Sequence, residues 1–254
     1  MTDKYPGGHI EYSFEMHVDH RESIYCKMDD SRIKEIIITK SLPEDQFDDK
    51  WQLLITCSEV SSIEEVDCIG AENKDSIFNL LSFMLKTAVN NICRTGHGII
   101  PREGEGAQCH MIMPALTCHG VGKSGGRKLN EPEIHDLGKL LIQSKKLKSN
   151  PLVNIFSYAI RIDEPVVQFM LLYLILYEIY KDQKSIDKFI MQVAPNTIQV
   201  TSPHNKKQET IFTKLRNEIT HRVGTPPDDT RNGIISNLHG LREIAHTAIM
   251  SQII

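Results

Sequence analysis

The sequence places an arginine, an asparagine and a histidine, Arg216, Asn217 and His221, within six consecutive residues. Because histidine titrates near neutral pH, His221 is suited to take the proton from a ribose 2′-hydroxyl that attacks the adjacent phosphate. The planar guanidinium of Arg216 suits the negative charge that develops on the phosphate oxygens. Asn217 is suited to orient the histidine or the phosphate. The set predicts RNA cleavage that needs no metal ion or other cofactor and leaves a 2′,3′-cyclic phosphate and a 5′-hydroxyl.

This segment, Leu215-Arg216-Asn217-Glu218-Ile219-Thr220-His221, resembles the active-site motif of HEPN-domain proteins. HEPN domains are small helical bundles, and many are metal-independent ribonucleases of toxin, anti-phage and RNA-processing systems. The helix after Asp163-Glu164-Pro165 is also similar to helices of HEPN proteins related to methylamine-utilisation protein J. The resemblance covers about residues 130–254. It implies an RNA endonuclease of a defence or toxin system, with RNA such as tRNA as its substrate.

The geometry of a helix adds a condition to this site. Arg216 and His221 are five positions apart, so they diverge by about 140° on an ideal helix, while Asn217 and His221 lie on one line. One helix presents the Arg and the His poorly, but two copies packed face to face could merge both sets into one groove. The HEPN resemblance likewise implies a homodimer with a composite active site.

Charged residues elsewhere could support this site. Glu178 lies near the middle of the most apolar predicted helix. It is either a buried partner for Arg216, since a buried carboxylate demands one, or part of an exposed seam of that helix. Lys123, Arg127 and Lys128 lie in and after a glycine-rich segment and are candidate RNA contacts.

Two other patterns suggest different chemistry. Residues 120–126 evoke a phosphate-binding loop, but Thr117 stands where that pattern needs a glycine, which favours a flexible basic loop instead. Cys and His residues could ligate zinc, but none has the Cys-x2-Cys spacing of a zinc knuckle, which favours buried thiols and loop histidines instead. These residues are Cys93, His97, Cys109, His110, Cys118 and His119.

The first half of the chain predicts an antiparallel sheet. Residues 9–19 alternate apolar and polar side chains, which is typical of a half-buried strand. Further strands are predicted at 24–28, 33–39 and 51–60. Helical spacing then predicts a helix from a cap at Asn73 or Asp75 to about Cys93. Residues 96–130 are expected to be irregular.

The second half predicts a helical bundle. Its helices are expected near Glu131, at 152–160, after Asp163-Glu164-Pro165, from Ser202-Pro203, and from a cap at Asp228, Asp229 or Thr230. The helix after Pro165 is apolar on nearly all faces and should be the central one. The predicted fold class is therefore α+β. Residues 1–128 form a sensing or regulatory domain with an antiparallel β-sheet and a helix, and residues 129–254 form an all-α, HEPN-like helical bundle.

Composition limits the class of protein. The 254 residues carry a formal net charge of −4, so any RNA must meet a local basic patch. The N-terminus lacks the apolar core of a secretory signal, and the stretch from Val166 to Tyr180 is too short and too polar to cross a membrane. We therefore expect a soluble, cytoplasmic protein without a membrane partner, whose six cysteines are thiols.

Two alternative functions fit the same sequence. The bundle could be a non-catalytic HEPN-like module that binds a partner or a nucleotide. The protein could also serve in metal or cofactor maturation through its Cys and His residues. A nuclease requires Arg216 and His221, whereas a binding module keeps its function without them.

Overall fold

The computed structural model describes residues 4–19, 23–27, 31–41, 50–106, 108–111, 127–128, 150–202, 206–220 and 227–252. The chain divides into two compact units, Met1–Ser149 and Asn150–Ile254. The sequence predicts the boundary after residue 128, and the structural division lies further along the chain. Residues 129–149, between the two positions, lie outside the described residues, and so does the helix predicted near Glu131.

The first unit is built on an antiparallel sheet. Its strands are β1 Gly7–Met16, β2 Val18–Asp19, β3 Ile24–Lys27, β4 Ile33–Lys40, β5 Lys50–Cys57, β6 Val89–Ile100, β7 Gln108–Met111 and β8 Arg127–Lys128. Within the described residues, six of these strands form one sheet in the order β3-β4-β5-β1-β6-β7. β2 and β8 form a separate parallel pair. The strands predicted at 24–28, 33–39 and 51–60 are confirmed, with shifts of a few residues at their ends. The strand predicted over residues 9–19 is confirmed as far as Met16, whereas Val18–Asp19 form a separate strand that pairs with β8.

Helix α1, Ile63–Leu85, packs on this sheet and begins earlier than predicted. The expected cap at Asn73 or Asp75 is wrong, because Ser62 is the N-cap and its hydroxyl accepts a hydrogen bond from the Glu65 backbone N–H. The Glu65 carboxylate in turn accepts a hydrogen bond from the backbone just before the cap. The arrangement is a capping box displaced by one residue: Ser62 satisfies an N–H of the first helical turn, and Glu65 satisfies the N–H of Ser61, which precedes the cap.

The helix also ends earlier than predicted. Its C-cap is Lys86, in the left-handed conformation with a φ of 51°. The expected end near Cys93 is wrong, because residues 89–100 form β6 and hydrogen-bond along β1. The segment 96–130, expected to be irregular, therefore begins within a strand. The backbone N–H and C=O groups along the open edge of β1 find hydrogen-bond partners in another strand. This pairing outweighs the helical structure that the sequence predicts for residues 86–93.

The core of the first unit lies between α1 and the sheet. Ile10, Tyr12, Phe14 and Met16 alternate along β1 and are each no more than 4% exposed. The rings of Tyr12 and Phe14 meet Phe78 of α1 edge-on, with centroids 6.0 and 5.2 Å apart. The alternation that predicts β1 therefore also predicts which of its faces is buried.

The second unit is mainly helical. Its elements are α2 Pro151–Arg161, α3 Pro165–Tyr180, α4 Gln183–Val193, β9 Gln199–Thr201, β10 Gln208–Thr210, α5 Ile211–Thr220 and α6 Asp228–Met250. Helix α3 packs against each of the other four described helices and holds much of the buried core, as its apolar composition predicts. Its predicted start is confirmed, since Glu164 caps the helix and Pro165 is its first residue. The helical character of this unit agrees with the prediction, and its HEPN-like arrangement stays a prediction.

Two expectations for the second unit are wrong, and one helix is missing from the prediction. No helix starts at Ser202, because residues 199–201 and 208–210 pair as an antiparallel hairpin and α5 starts after it. Helix α4 was not predicted. The N-cap of α6 is Pro227 and makes no side-chain cap hydrogen bond, while Asp228 and its acidic neighbour lie in the first turn. Carboxylates there favour the positive end of the helix dipole without acting as caps.

Across the described ranges, no helix is both long enough and apolar enough to cross a membrane.

Candidate active site

Two of the three predicted catalytic residues lie together on α5. The Arg216 guanidinium donates a hydrogen bond from Nη1 to Asn217 Oδ1, at 2.9 Å. Both side chains are half-buried. His221 follows Thr220, the last residue of α5, and lies outside the described residues. The structure therefore brings Arg216 and Asn217 into direct contact, and the Arg–His pair stays a prediction.

Asn217 is tied on its other side to a buried carboxylate. Its Nδ2 donates to Glu209 Oε2 at 3.2 Å, and Gln183 Nε2 donates to the same oxygen at 3.2 Å. Glu209 lies on β10 and is only 4% exposed. We call Gln183, Glu209, Asn217 and Arg216 the amide relay. It runs from a buried anion through an amide to a half-buried cation.

A tyrosine ring covers another side of Arg216. The guanidinium carbon lies 5.6 Å from the centroid of the Tyr173 ring, within the range of a cation–π interaction. The Tyr173 hydroxyl is 2.9 Å from Thr213 Oγ1, and Thr213 donates to Asp187 at 2.6 Å. Burial raises the pKa of Tyr173 to about 12, although the hydrogen bond with Thr213 lowers it. Tyr173 is therefore a neutral, anchored platform at ordinary pH.

Asp187 of α4 fixes the junction between the hairpin and α5. Its Oδ1 accepts hydrogen bonds from the Thr210 backbone N–H and hydroxyl, at 3.2 and 2.7 Å, and from the Thr213 hydroxyl. A carboxylate that accepts several hydrogen bonds is strongly held. The start of α5 is therefore attached to α4 and α3 independently of the amide relay.

Glu178 does not provide the buried partner expected for Arg216. Its carboxylate is 2.7 Å from Lys181 Nζ, and its side chain is 48% exposed. Position 178 belongs to the exposed seam of α3, which is the other reading that the sequence allows. The buried carboxylate beside the Arg216–Asn217 pair is Glu209 instead.

The predicted RNA-binding residues belong to the first unit. Arg127 and Lys128 form β8, which pairs with β2, and the placement of their side chains lies outside what the structure describes. Lys123 and the glycine-rich residues 120–126 also lie outside the described residues. The structure therefore leaves these RNA contacts as predictions.

The residues considered for zinc are partly described. Cys93 is paired opposite Ser13 and His97 opposite Ile10 on β1, so the two side chains point to opposite faces of the sheet. His97 Nδ1 contacts the Asp67 carboxylate. Cys109 and His110 contribute backbone to β7, while Cys118 and His119 lie outside the described residues. Cys93 and His97 therefore cannot share one ion, and the described side chains contain no group of three or more metal-ligating residues.

Sequence reasoning missed three members of the site: Tyr173, Gln183 and Glu209. Glu209 lies within the helix that the sequence predicts from Ser202, so it is not predicted to belong to a strand beside Asn217. The sequence nevertheless contains a hairpin signal. Strand-forming residues such as Val200 and Thr210 lie on either side of Pro203 and Asn205, two residues that favour turns. Tyr173 and Gln183 are far from the motif in sequence, and no local pattern connects them to it.

The described part of the site is suited to bind an anion. Within the described residues, only Asn217 Oδ1 accepts a hydrogen bond from the Arg216 guanidinium, which leaves further N–H groups for phosphate oxygens.

Comparison of the chain with protein-family models, with curated proteins and with solved structures gives no match. The functional assignment therefore starts from these contacts and from the motif.

Proposed function

We propose that this protein is a metal-independent RNA endonuclease of the HEPN type. The observation that carries the proposal is the bonded Arg216–Asn217 pair at the end of α5, four residues before His221 on the chain. The pair presents a fixed cation with donors available to a phosphate. The neighbouring histidine supplies a base of suitable pKa range.

Each residue has a defined role in this reaction. His221 takes the proton of a ribose 2′-hydroxyl, whose oxygen attacks the adjacent phosphorus. The bond from phosphorus to the 5′-oxygen breaks, and that oxygen takes a proton from solvent as it leaves, while His221 gives the proton that it removed back to solvent. Arg216 stabilises the charge on the non-bridging oxygens, and Asn217 orients Arg216. The products are a 2′,3′-cyclic phosphate and a 5′-hydroxyl.

The spacing of the motif supports a dimer. Because Arg216 and His221 diverge by about 140° on an ideal helix, one copy presents them to different sides. Two copies would combine the Arg216 of one chain with the His221 of the other in a shared groove. Lys123, Arg127 and Lys128 are the candidate contacts to the RNA backbone. The resemblance suggests RNA, such as tRNA, as the substrate in a defence or toxin system.

The test is cleavage of RNA in the presence of EDTA. Purified full-length protein is incubated with total RNA and with tRNA, beside the variants His221→Ala and Arg216→Ala. We expect cleavage that survives EDTA, leaves cyclic phosphate ends, and falls by at least about a hundredfold in either variant. The matched control is Lys214→Ala, which removes a cation from the same helix. Lys214 is not part of the proposed site, and its Nζ lies 3.6 Å from Glu218 Oε1. This variant should cleave at the wild-type rate.

Two results would contradict the proposal. Equal cleavage by the wild type and His221→Ala would remove this site from the reaction. Wild-type protein that binds RNA without cleaving it, with binding unchanged in His221→Ala, would favour the non-catalytic module. Mass measurement in solution tests the dimer, and a wild-type protein that is monomeric while it cleaves RNA would contradict the composite site.

A further inference from the structure

Glu209 is a charge in a place where charge is costly. Its side chain is 4% exposed, and a carboxylate removed from water destabilises a fold unless it is paired and hydrogen-bonded. It lies on β10, seven residues before Arg216 in the sequence. Its Oε2 accepts hydrogen bonds from two amides, those of Gln183 and Asn217. A carboxylate kept at such a position suggests a role beyond packing.

The two hydrogen bonds of Asn217 define the direction of its amide. The oxygen accepts from Arg216 and the nitrogen donates to Glu209. The reversed amide would place a donor against the guanidinium and an acceptor against the carboxylate, and both contacts would be repulsive. Glu209 therefore selects the orientation in which Asn217 offers an oxygen to Arg216. Bonds aligned in this way between opposite charges strengthen one another.

We propose that Glu209 is a positioning residue that acts through Asn217 to hold the Arg216 guanidinium in place for a phosphate. The proposal rests on the function proposed above for Arg216. Glu209 itself is buried and does not touch the RNA. Loss of its charge should weaken the hold on Arg216 without removing the cation.

The fold around Glu209 does not depend on this carboxylate alone. The junction between β10 and α5 is fixed separately by Asp187, which accepts hydrogen bonds from Thr210 and Thr213. Glu209→Gln keeps the shape of the side chain and can still present an oxygen to both amides. This variant should therefore fold, and its effect should appear at Arg216.

The first experiment compares kinetic constants for RNA cleavage. Glu209→Gln should lower kcat by about tenfold. Asn217→Asp places a second carboxylate against Glu209 and should lower kcat by about a hundredfold. In each variant KM should change by less than about twofold. The two substitutions together restore a donor opposite an acceptor, so kcat should recover to within about tenfold of the wild type. Gln208→Ala, on the exposed neighbouring position of β10, is the matched control and should change nothing.

The second experiment observes Arg216 directly and needs no substrate. The side-chain N–H signals of Arg216, assigned by their loss in Arg216→Lys, should be protected from solvent exchange in the wild type and exchange faster in Glu209→Gln. Signals that do not change, beside active wild-type enzyme, would overturn the positioning role and leave the nuclease intact. Signals that respond in a protein that cleaves no RNA would support the positioning role and overturn the proposed function. A double variant no better than Asn217→Asp alone would also overturn the role of Glu209.

Discussion

The guanidinium of Arg216 lies over the ring of Tyr173, with 5.6 Å between the guanidinium carbon and the ring centroid. The same guanidinium is hydrogen-bonded to Asn217 on the same helix. The ring comes from α3 and is anchored through its hydroxyl to Thr213. Arg216 is therefore held by contacts from two elements, and its position is defined before any ligand binds, which is the condition for electrostatic catalysis.

The first prediction concerns Tyr173. Tyr173→Phe keeps the ring and should retain RNA cleavage within about threefold, because the cation–π contact survives. Tyr173→Leu removes the ring and should lower kcat by about tenfold or more. The measurement is kcat on one defined RNA, with thermal melting recorded for both variants. Equal losses in the two variants would show that the hydroxyl, and not the ring, supports the site.

The second prediction concerns the shape of the cation. Arg216→Lys keeps the positive charge but replaces a planar fork of five donors with a single ammonium. The ammonium cannot bond Asn217 and two phosphate oxygens in one plane, so kcat should fall by at least about a hundredfold. The measurement is cleavage at saturating RNA. A loss that appeared only in KM would mean that Arg216 contributes to binding and not to the reaction itself.

The third prediction concerns Gly70 on α1. A methyl group there would overlap the Cδ1 atom of Ile10 and lie 2.9 Å from the Tyr12 hydroxyl. Gly70→Ala should therefore lower the free energy of unfolding of the first unit by about 2 kcal/mol, although alanine favours helix. Trp51 is the single tryptophan of the chain and is fully buried in this unit, so its fluorescence in urea follows this unfolding. Gly106→Ala is the control, since open space surrounds that glycine.

The fourth prediction concerns alkaline pH. Burial raises the pKa of Cys26 and Cys57 from the ordinary value of 9.0 to about 11. Between these values the unfolded chain loses both thiol protons while the folded chain keeps them. The unfolded state then binds fewer protons, so stability is complete below about pH 9 and decreases as the pH rises toward 11. Near pH 10 the loss should be about 1.4 kcal/mol per thiol.

Urea unfolding of the first unit, followed by Trp51 fluorescence, measures this loss. The double variant Cys26→Ala with Cys57→Ala has no buried thiols, and its stability should change less over the same pH range than that of the wild type. Parallel pH dependence in the two proteins would assign the alkaline loss to other groups. Tyr12, whose pKa burial raises to about 12, is the next candidate at higher pH.

The sequence predicts elements well where the signal is local. The alternation of residues 9–19 predicts both a strand and its buried face. The Glu164-Pro165 start predicts α3 at the correct residue, because a cap and a first-turn proline are encoded within three positions. The Ser62-x-x-Glu65 pattern and the helical spacing of Val66 and Ile69 are equally local signals for the start of α1, and the predicted cap at Asn73 or Asp75 overlooks them.

The sequence predicts less well where tertiary pairing decides. Residues 89–100 contain two glycines and form a strand because β1 is available to pair with them. Helix α4 is a different case, because its signal is local: Asp182 caps it by accepting a hydrogen bond from the Ser185 N–H, and Ile186 and Ile190 belong to an apolar stripe with helical spacing. This helix is missing from the prediction although the sequence encodes it, whereas β6 is fixed by a neighbour that is distant in sequence.

The candidate site shows the same division. Arg216 and Asn217 are adjacent in the sequence, so a local pattern is enough to predict that they belong to one site. Glu209 becomes a partner only through the hairpin, and Tyr173 only through the packing of α3 against α5. Glu178, one of whose two readings from the sequence is a buried charge, is half exposed and forms an ion pair with Lys181 instead.

The position of β1 within the sheet has a consequence for synthesis. β1 is made before either of its partners, and His9 ends up between Thr56 of β5 and Gly98 of β6. During translation one edge of β1 remains unpaired until β5 is synthesised, and the other edge remains unpaired until β6 is complete at Ile100. An unpaired strand edge is a template for aggregation. A nascent chain is therefore most vulnerable between these two points, and a stall before β6 would leave the centre of the sheet open to other chains.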